Sequence, residues 1–144
     1  MLAVKYFYKE NKKIIGACNN SFTYPLNKWM HVNGIEMCER GFHLPRRIRD
    51  IESFGGWFDG YDGRKAIPFL VNIKGDFSYG EEDDKFVVSD IKLIKELPTF
   101  DTFEGKSKRD RIRAFTKWLH LEYPDLFYYN RSWNKKFIKD GKII

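Results

Sequence analysis

The chain has 144 residues, of which 42% are hydrophobic and 17% aromatic. This composition excludes a disordered chain, and the length fits one domain with a sizeable core. The sequence has no apolar run near the ~20 residues that a membrane helix requires. Lys5, Lys9 and Glu10 interrupt the start, so we expect no signal peptide and a cytoplasmic location. Cys18 and Cys38 lack metal-ligand spacing, and we expect no metal.

The excess positive charge lies in the C-terminal part of the chain. The formal net charge is +6 at pH 7. Residues 1–103 carry 15 basic and 15 acidic side chains, whereas residues 104–144 carry 11 basic and 5 acidic ones. We therefore interpret the chain as a single domain, 1–144, made of a neutral, sheet-rich body (1–103) and a basic helical tail (104–144).

The first part of the body has the pattern of short strands. Leu2 to Lys9 is rich in aromatic residues and roughly alternates, which predicts a strand. The polar residues from Glu10 to Lys13 predict a turn, and Ile14 to Cys18 predicts a second short strand. Lys28 to Val32 indicates a further small β-element, followed by a turn at Asn33-Gly34.

A short strand is also predicted at Gly41-Phe42-His43-Leu44, where Pro45 ends it. Gly41 can adopt a positive φ or allow a close backbone approach. Phe42 and His43 then point to opposite faces of the strand, one into the core and one outward. The near-neutral pKa of a histidine suits His43 to a catalytic or stacking role. A hydrogen bond to a neighbouring loop is the alternative.

The second half of the body contains the two most pronounced strand patterns. Before them, Arg46 to Phe54 has apolar residues at helical spacing, which predicts a short helix. Pro68 to Gly75 predicts a strand that ends in a turn at Gly75-Asp76. Lys85 to Ile94 predicts the next strand, so that the sheet occupies residues 1–97.

The tail has helical periodicity. Ser107 and Asp110 resemble a capping box, and apolar side chains repeat at Ile112, Phe115 and Leu119. This pattern predicts a helix from 108 to 122.

A second helix, from 125 to 139 and stopped by Gly141, is predicted from the spacing of Leu126, Tyr129, Trp133 and Phe137. The whole pattern predicts an α+β fold, in which a twisted, mostly antiparallel sheet is followed by two C-terminal helices.

Basic side chains are concentrated on the two predicted helices. They can contact nucleic-acid phosphates, while the interleaved aromatic side chains stack on unpaired bases. The alternative is that these charges form the solvated face of amphipathic helices whose aromatics are core. The candidate nucleic-acid or partner-binding residues are Lys108, Arg109, Arg111, Arg113, Lys117, Arg131, Lys135 and Lys136.

Four segments of the body carry a family resemblance. They are Tyr8-Lys9, Ile35-Glu36-Met37-Cys38-Glu39-Arg40-Gly41-Phe42-His43, Leu70-Val71-Asn72-Ile73-Lys74-Gly75-Asp76, and the stretch from Asp84 to Leu97. In order and spacing, these segments resemble a family of uncharacterised phage and prophage proteins. The resemblance covers the body and not the tail. It implies a phage-type origin and a shared fold.

More distantly, the body is similar to the ADP-ribosyltransferase fold, in particular to poly(ADP-ribose) polymerases. Gly41-Phe42-His43-Leu44 matches that family's Gly-Ile-Tyr-Phe-type strand, which places His43 at the nicotinamide-stacking tyrosine. The likeness places Lys85 at the catalytic glutamate, whose negative charge stabilises an oxocarbenium-like transition state. A cation there opposes transferase activity. Asp84, one residue earlier, points to the opposite face of a strand.

Three classes of function stay open on this reasoning. The first is a non-catalytic phage accessory protein that binds a host protein, a nucleoprotein complex or a nucleotide, for host takeover or counter-defence. The second is nucleic-acid binding through the tail. The third is an enzyme that acts on NAD or another nucleotide, although no resident cofactor is expected. Its catalytic candidates are His43, Tyr8 and Asp84, and its ligand-binding candidates are His43, Tyr8, Lys9 and Lys85.

Overall fold

The computed structural model describes residues 1–16, 22–36, 40–46, 66–79, 85–127 and 137–144. Some sequence predictions concern residues outside these ranges and stay predictions. They are the short helix that begins at Arg46, the expected absence of a metal at Cys18 and Cys38, and the proposed contacts of Asp84, Arg131, Lys135 and Lys136.

Eight strands within these ranges form one sheet. Each pairing between these strands is antiparallel. The strands are β1 (Leu2–Glu10), β2 (Lys13–Ile15), β3 (Met30–His31), β4 (Phe42–Pro45), β5 (Ile67–Tyr79), β6 (Lys85–Glu96), β7 (Ile138–Lys139) and β8 (Lys142–Ile143).

The two long strands, β5 and β6, form the centre of the sheet. They contain 13 and 12 residues, so each can pair with two shorter strands along its outer edge. β5 pairs with β1 through its first half and with β8 further along. β6 pairs with β4 and then with β3. The predicted antiparallel sheet is therefore confirmed.

The predicted turn at Gly75-Asp76 is wrong, because β5 continues through these residues as a β-bulge. Lys74 pairs with Asp90, and Phe77 pairs with Val88. These paired positions are three residues apart on β5 but two apart on β6, so β5 contains one extra residue. Gly75 has a φ of +85°. The backbone N–H of Asp76 donates to the Ser89 hydroxyl at 2.8 Å. This hydroxyl satisfies an amide at the interruption of the ladder, so the strand continues.

Two clusters of buried side chains occupy the two faces of the sheet, because alternate residues of a strand point to opposite sides. One cluster includes Phe7, Phe69, Val71, Ile73, Phe86 and Leu93. The other, here called the helix-facing cluster, includes Val4, Tyr6, Tyr8, Leu70 and Leu97 together with Ile112, Phe115 and Leu119.

The first C-terminal helix, α1 (Lys108–Glu122), has the predicted bounds. The Ser107 hydroxyl accepts a hydrogen bond from the backbone N–H of Asp110 at 3.1 Å, as the capping pattern predicts. Ile112, Phe115 and Leu119 form its buried face. Since this face packs against the sheet in the helix-facing cluster, the opposite face of α1 is directed away from the sheet.

A second helix over 125–139 is wrong at both ends of that range. Leu126 and Phe127 are not helical, and Ile138–Lys139 is β7. Asp140 and Gly141 have positive φ values of 53° and 70°, so they form a tight turn that pairs β7 with β8. Residues 128–136 lie outside the described ranges. The α+β class stands, with α1 as the C-terminal helix that the structure describes.

None of the helices in the described part of the chain has the length and apolar character needed to cross a membrane.

Candidate functional site

Gly41 allows β4 to approach β6 closely. Its φ is +112°, and a Cβ atom on it would lie 2.4 Å from the Val87 Cγ2 atom. Both roles predicted for this glycine are therefore confirmed. Phe42 and Leu44 are buried in the core, and His43 between them is half-buried. Alternation along β4 thus directs His43 to the opposite face, as predicted.

The structure brings His43 and Lys85 to the same face of the sheet. His43 pairs with Val87, and Pro45 pairs with Lys85. Cross-strand partners share a face, and a diagonal pair of this kind has its Cβ atoms roughly 7 Å apart. From the opposite face of the sheet, which also carries Phe7, the ammonium group of Lys5 donates to the backbone carbonyl of His43.

Two other candidates for a nucleotide site, Tyr8 and Lys9, lie within the described ranges. Tyr8 is 3% exposed and belongs to the helix-facing cluster, so its ring packs in the core. Its ligand role stays a prediction. Lys9 lies 2.5 Å from the carboxylate of Glu96. Glu96 and Lys85 are the two ends of β6, which separates Lys9 from the His43 region. Asp84 lies outside the described ranges.

The basic residues of α1 divide into two groups. Arg109, Arg113 and Lys117 are exposed and follow one another at intervals of four residues, so they share one face of the helix. We call these three residues the basic stripe. Within the described part of the chain, no ion pair involves any of them. At 1.5 Å per residue, the stripe is roughly 12 Å long.

The remaining two basic candidates on α1 make contacts within the protein. The Arg111 Nε donates to the Gly105 carbonyl at 3.3 Å. The Lys108 ammonium lies 5.6 Å from the centre of the Phe100 ring. These contacts hold the segment before the helix against its first turn. Among the basic candidates of α1, the basic stripe is the group for which the described part of the chain shows no such contact, and the binding roles of Lys108 and Arg111 stay predictions.

A polar network that the sequence analysis missed connects the bulge of β5 to β3. Ser89, which is 1% exposed, donates to the Asp90 Oδ2 atom at 2.5 Å. The Asp90 Oδ1 atom lies 2.9 Å from the His31 Nδ1 atom. The His31 Nε2 atom lies 2.7 Å from the Asn33 Oδ1 atom. Both ring nitrogens therefore face acceptors, which suits a doubly protonated imidazolium.

This arrangement raises the pKa of His31 above 6.5, mainly through the hydrogen bond to Asn33 and then through the hydrogen bond and charge of Asp90. The more distant carboxylate of Asp76 acts in the same direction. The network does not form a nucleophile triad, because Ser89 donates to the carboxylate and does not contact the histidine. Its role is to hold β3 on β6. This network could not be detected by sequence analysis because His31 and Asp90 are far apart in sequence.

Within the ranges that the structure describes, no group of three or more His, Cys, Asp or Glu side chains is placed to hold a metal ion.

Fold and surface together define an α+β protein built on one antiparallel sheet, with a basic helix on one face. A family model described as "Domain of unknown function (DUF7666)" matches residues 1–104. The chain belongs to this family. The match covers the sheet-rich body and ends before α1. Comparison with curated proteins gives no significant match, and neither does comparison with solved structures. The phage-type origin and the likeness to ADP-ribosyltransferases stay predictions.

Proposed function

We propose that the protein acts without catalysis, by binding a polyanionic macromolecule through the basic stripe on α1. The observation that supports this proposal is the exposure of Arg109, Arg113 and Lys117 in one row. These cations contribute little to the stability of the fold, since α1 is anchored through its opposite, apolar face. They are available to neutralise phosphates, and the release of counterions then drives binding.

The partner that fits this surface best is a nucleic acid or a nucleoprotein complex. A lysine or arginine row matches phosphate geometry without requiring a particular base sequence. The resemblance to phage and prophage proteins favours a partner in a bacterial host, where the protein would act in the cytoplasm as an accessory factor for host takeover or counter-defence. A host protein with an acidic face is the competing partner.

An ADP-ribosyltransferase-like or other NAD-acting enzyme is the less favoured proposal. It draws on the sequence likeness and on the shared face of His43 and Lys85. Lys85 would place positive charge where an oxocarbenium-like transition state requires negative charge. The burial of Tyr8 gives this proposal little support.

The proposal is tested by neutralising the basic stripe and measuring binding to labelled duplex DNA, single-stranded DNA and RNA by fluorescence anisotropy. The test variant is Arg109→Gln, Arg113→Gln, Lys117→Gln. The matched control is Lys13→Gln, Lys139→Gln, Lys142→Gln, which removes the same charge from exposed strand ends. We expect the test variant to bind about a hundredfold more weakly at low salt, and the control to stay within a few-fold of the wild type.

Equal affinities for the two triple variants would contradict the proposed contact surface. To separate partner classes, the wild-type protein is used to capture partners from a bacterial lysate with and without nuclease. Loss of the captured material after nuclease treatment supports a nucleic-acid partner. Capture that resists nuclease but fails with the test variant indicates an acidic protein, and would overturn the nucleic-acid assignment.

A further inference from the structure

Trp29 lies beside two lysines on the central strands. Its half-buried ring comes just before β3. The ammonium group of Lys74, on β5, is 4.0 Å from the centre of this ring, and that of Lys92, on β6, is 5.3 Å away. One aromatic ring and two cations from neighbouring strands thus form a compact surface group, here called the tryptophan site.

The tryptophan site lies on the same face of the sheet as α1. Leu70 of β5 and Ile94 of β6 contact the helix-facing cluster. Lys74 is four residues from Leu70, and Lys92 is two from Ile94. Because strand residues separated by even numbers share a face, both lysines emerge on this face, beyond the part that α1 covers. The basic stripe and the tryptophan site therefore belong to one side of the molecule.

Neither lysine of the tryptophan site is neutralised by a carboxylate in the described ranges. Lys74 lies opposite Asp90, but both oxygens of Asp90 are occupied, one by Ser89 and the other by His31. The ammonium groups of Lys74 and Lys92 form no ion pair with a described residue. Contact with an aromatic ring leaves a cation its full charge. The site thus offers two unneutralised cations around an indole.

We propose that the tryptophan site binds unpaired nucleic acid, with the indole stacked on a base and the two lysines on the flanking phosphates. Stacking on an aromatic ring tolerates any base, and a positively charged surface follows the backbone. Each ammonium sits on a flexible four-carbon stem, so it can move from the ring to a phosphate. A base within a duplex cannot expose its face to the indole, so the site selects single strands.

This inference rests on the proposed function, because it specifies which polyanion the surface takes. In the alternative without a ligand, the lysines only hold Trp29 on the sheet. The binding site and the purely structural role predict different effects of substitution. If the lysines only support the ring, replacing these residues alters stability and leaves affinity unchanged, whereas a binding site requires a loss of affinity in a folded protein.

The test measures anisotropy with labelled oligothymidylate and oligouridylate of about 12 nucleotides and with a duplex of equal length. The variants are Trp29→Ala, Trp29→Phe, and the double variant Lys74→Gln, Lys92→Gln, with Lys139→Gln, Lys142→Gln as the charge-matched control. We expect Trp29→Ala to weaken single-strand binding about tenfold, Trp29→Phe to retain most of it, and duplex binding to change less than threefold. Circular dichroism confirms that each variant is folded.

Three outcomes separate the inference from the proposed function. Loss of single-strand affinity in both Trp29→Ala and the lysine double variant supports the tryptophan site. The second outcome is that these two variants bind single strands like the wild type, whereas the stripe variant (Arg109→Gln, Arg113→Gln, Lys117→Gln) does not. The inference is then overturned and the proposed function stands. If the stripe variant binds normally and Trp29→Ala does not, the proposed function fails and the tryptophan site remains.

Discussion

Gly41 occupies a backbone position that disfavours every other residue type. A residue with a Cβ atom is strained at a φ of +112°, and that atom would approach Val87 Cγ2 at 2.4 Å and the Val88 carbonyl oxygen at 3.1 Å. Since β4 carries His43 next to this point, the glycine sets where His43 stands on the sheet. The sequence predicts this position because a glycine directly before an aromatic strand is typical of a positive φ or a close backbone approach.

Replacing Gly41 with alanine should lower the free energy of unfolding by about 3 kcal/mol, from the strain of a positive φ and the overpacking against β6. Gly141→Ala is the matched control, because Gly141 also has a positive φ (+70°) but nothing within 4 Å of an added Cβ. The control should lose only about 1 kcal/mol. Urea unfolding measures both, and equal losses would show that the close approach to Val87 is unimportant.

At the scale of elements, β3 is a two-residue strand at the edge of the sheet, and short strands gain little from their own ladder. Its attachment to β6 depends on the side chains of His31 and Asp90. Val32 adds one backbone hydrogen bond to the Ser89 carbonyl at 2.9 Å. The position of the segment that carries Trp29 is therefore coupled to the protonation of His31.

The fold should lose stability as pH rises through the raised pKa of His31. The folded state favours the imidazolium, through Asn33 first and then Asp90, so this contribution is complete below the unfolded pKa of about 6.5 and is lost above the folded value. We expect the difference in unfolding free energy between wild type and His31→Gln to be largest at acidic pH and to vanish at alkaline pH.

The direct check is an NMR titration of the His31 ring protons in the wild type and in Asn33→Ala. The wild-type ring should titrate above about 6.5, and Asn33→Ala should lower that value. A midpoint at or below 6.5 in the wild type would refute the assigned role of the two acceptors.

Local signals predicted α1 well, because its cap at Ser107 and its apolar spacing at Ile112, Phe115 and Leu119 are contained in one segment. The same kind of reasoning failed at the ends of the second predicted helix: Phe137 is helical, but β7 begins at the next residue and Leu126 is not helical. The sequence signal that was missed is Asp140-Gly141, which lies between the two-residue strands β7 and β8 and is typical of a two-residue hairpin turn. A glycine after an apolar repeat indicates a helix stop or a turn equally well.

At the scale of the whole molecule, local sequence patterns could not predict which strands pair with one another. Gly75-Asp76 has the composition of a turn, and only the opposing Ser89 hydroxyl converts it into a bulge. The contacts of His31 with Asp90 and of Trp29 with Lys74 depend on which strands become neighbours in the sheet. For the same reason, local patterns could not predict that Tyr8 packs in the core or that Lys9 pairs with Glu96.

The distribution of charge over the molecule leads to a quantitative expectation. The tail carries the whole net charge of +6, and Arg109, Arg113 and Lys117 expose three of its positive charges on one face of α1. Exposed charges act over roughly a Debye length, ~8 Å at physiological salt. A polyanion should therefore be attracted to the tail, including α1, more strongly than to the neutral body (1–103).

The salt dependence of binding to duplex DNA tests this account most directly. If the three cations of the basic stripe each neutralise one phosphate, log K should fall with log[salt] at a slope of about −2.7. The slope should approach zero in the triple variant Arg109→Gln, Arg113→Gln, Lys117→Gln, and should stay near −2.7 in the control Lys13→Gln, Lys139→Gln, Lys142→Gln. A wild-type slope that the stripe variant leaves unchanged, or no binding to duplex at low salt, would contradict the account.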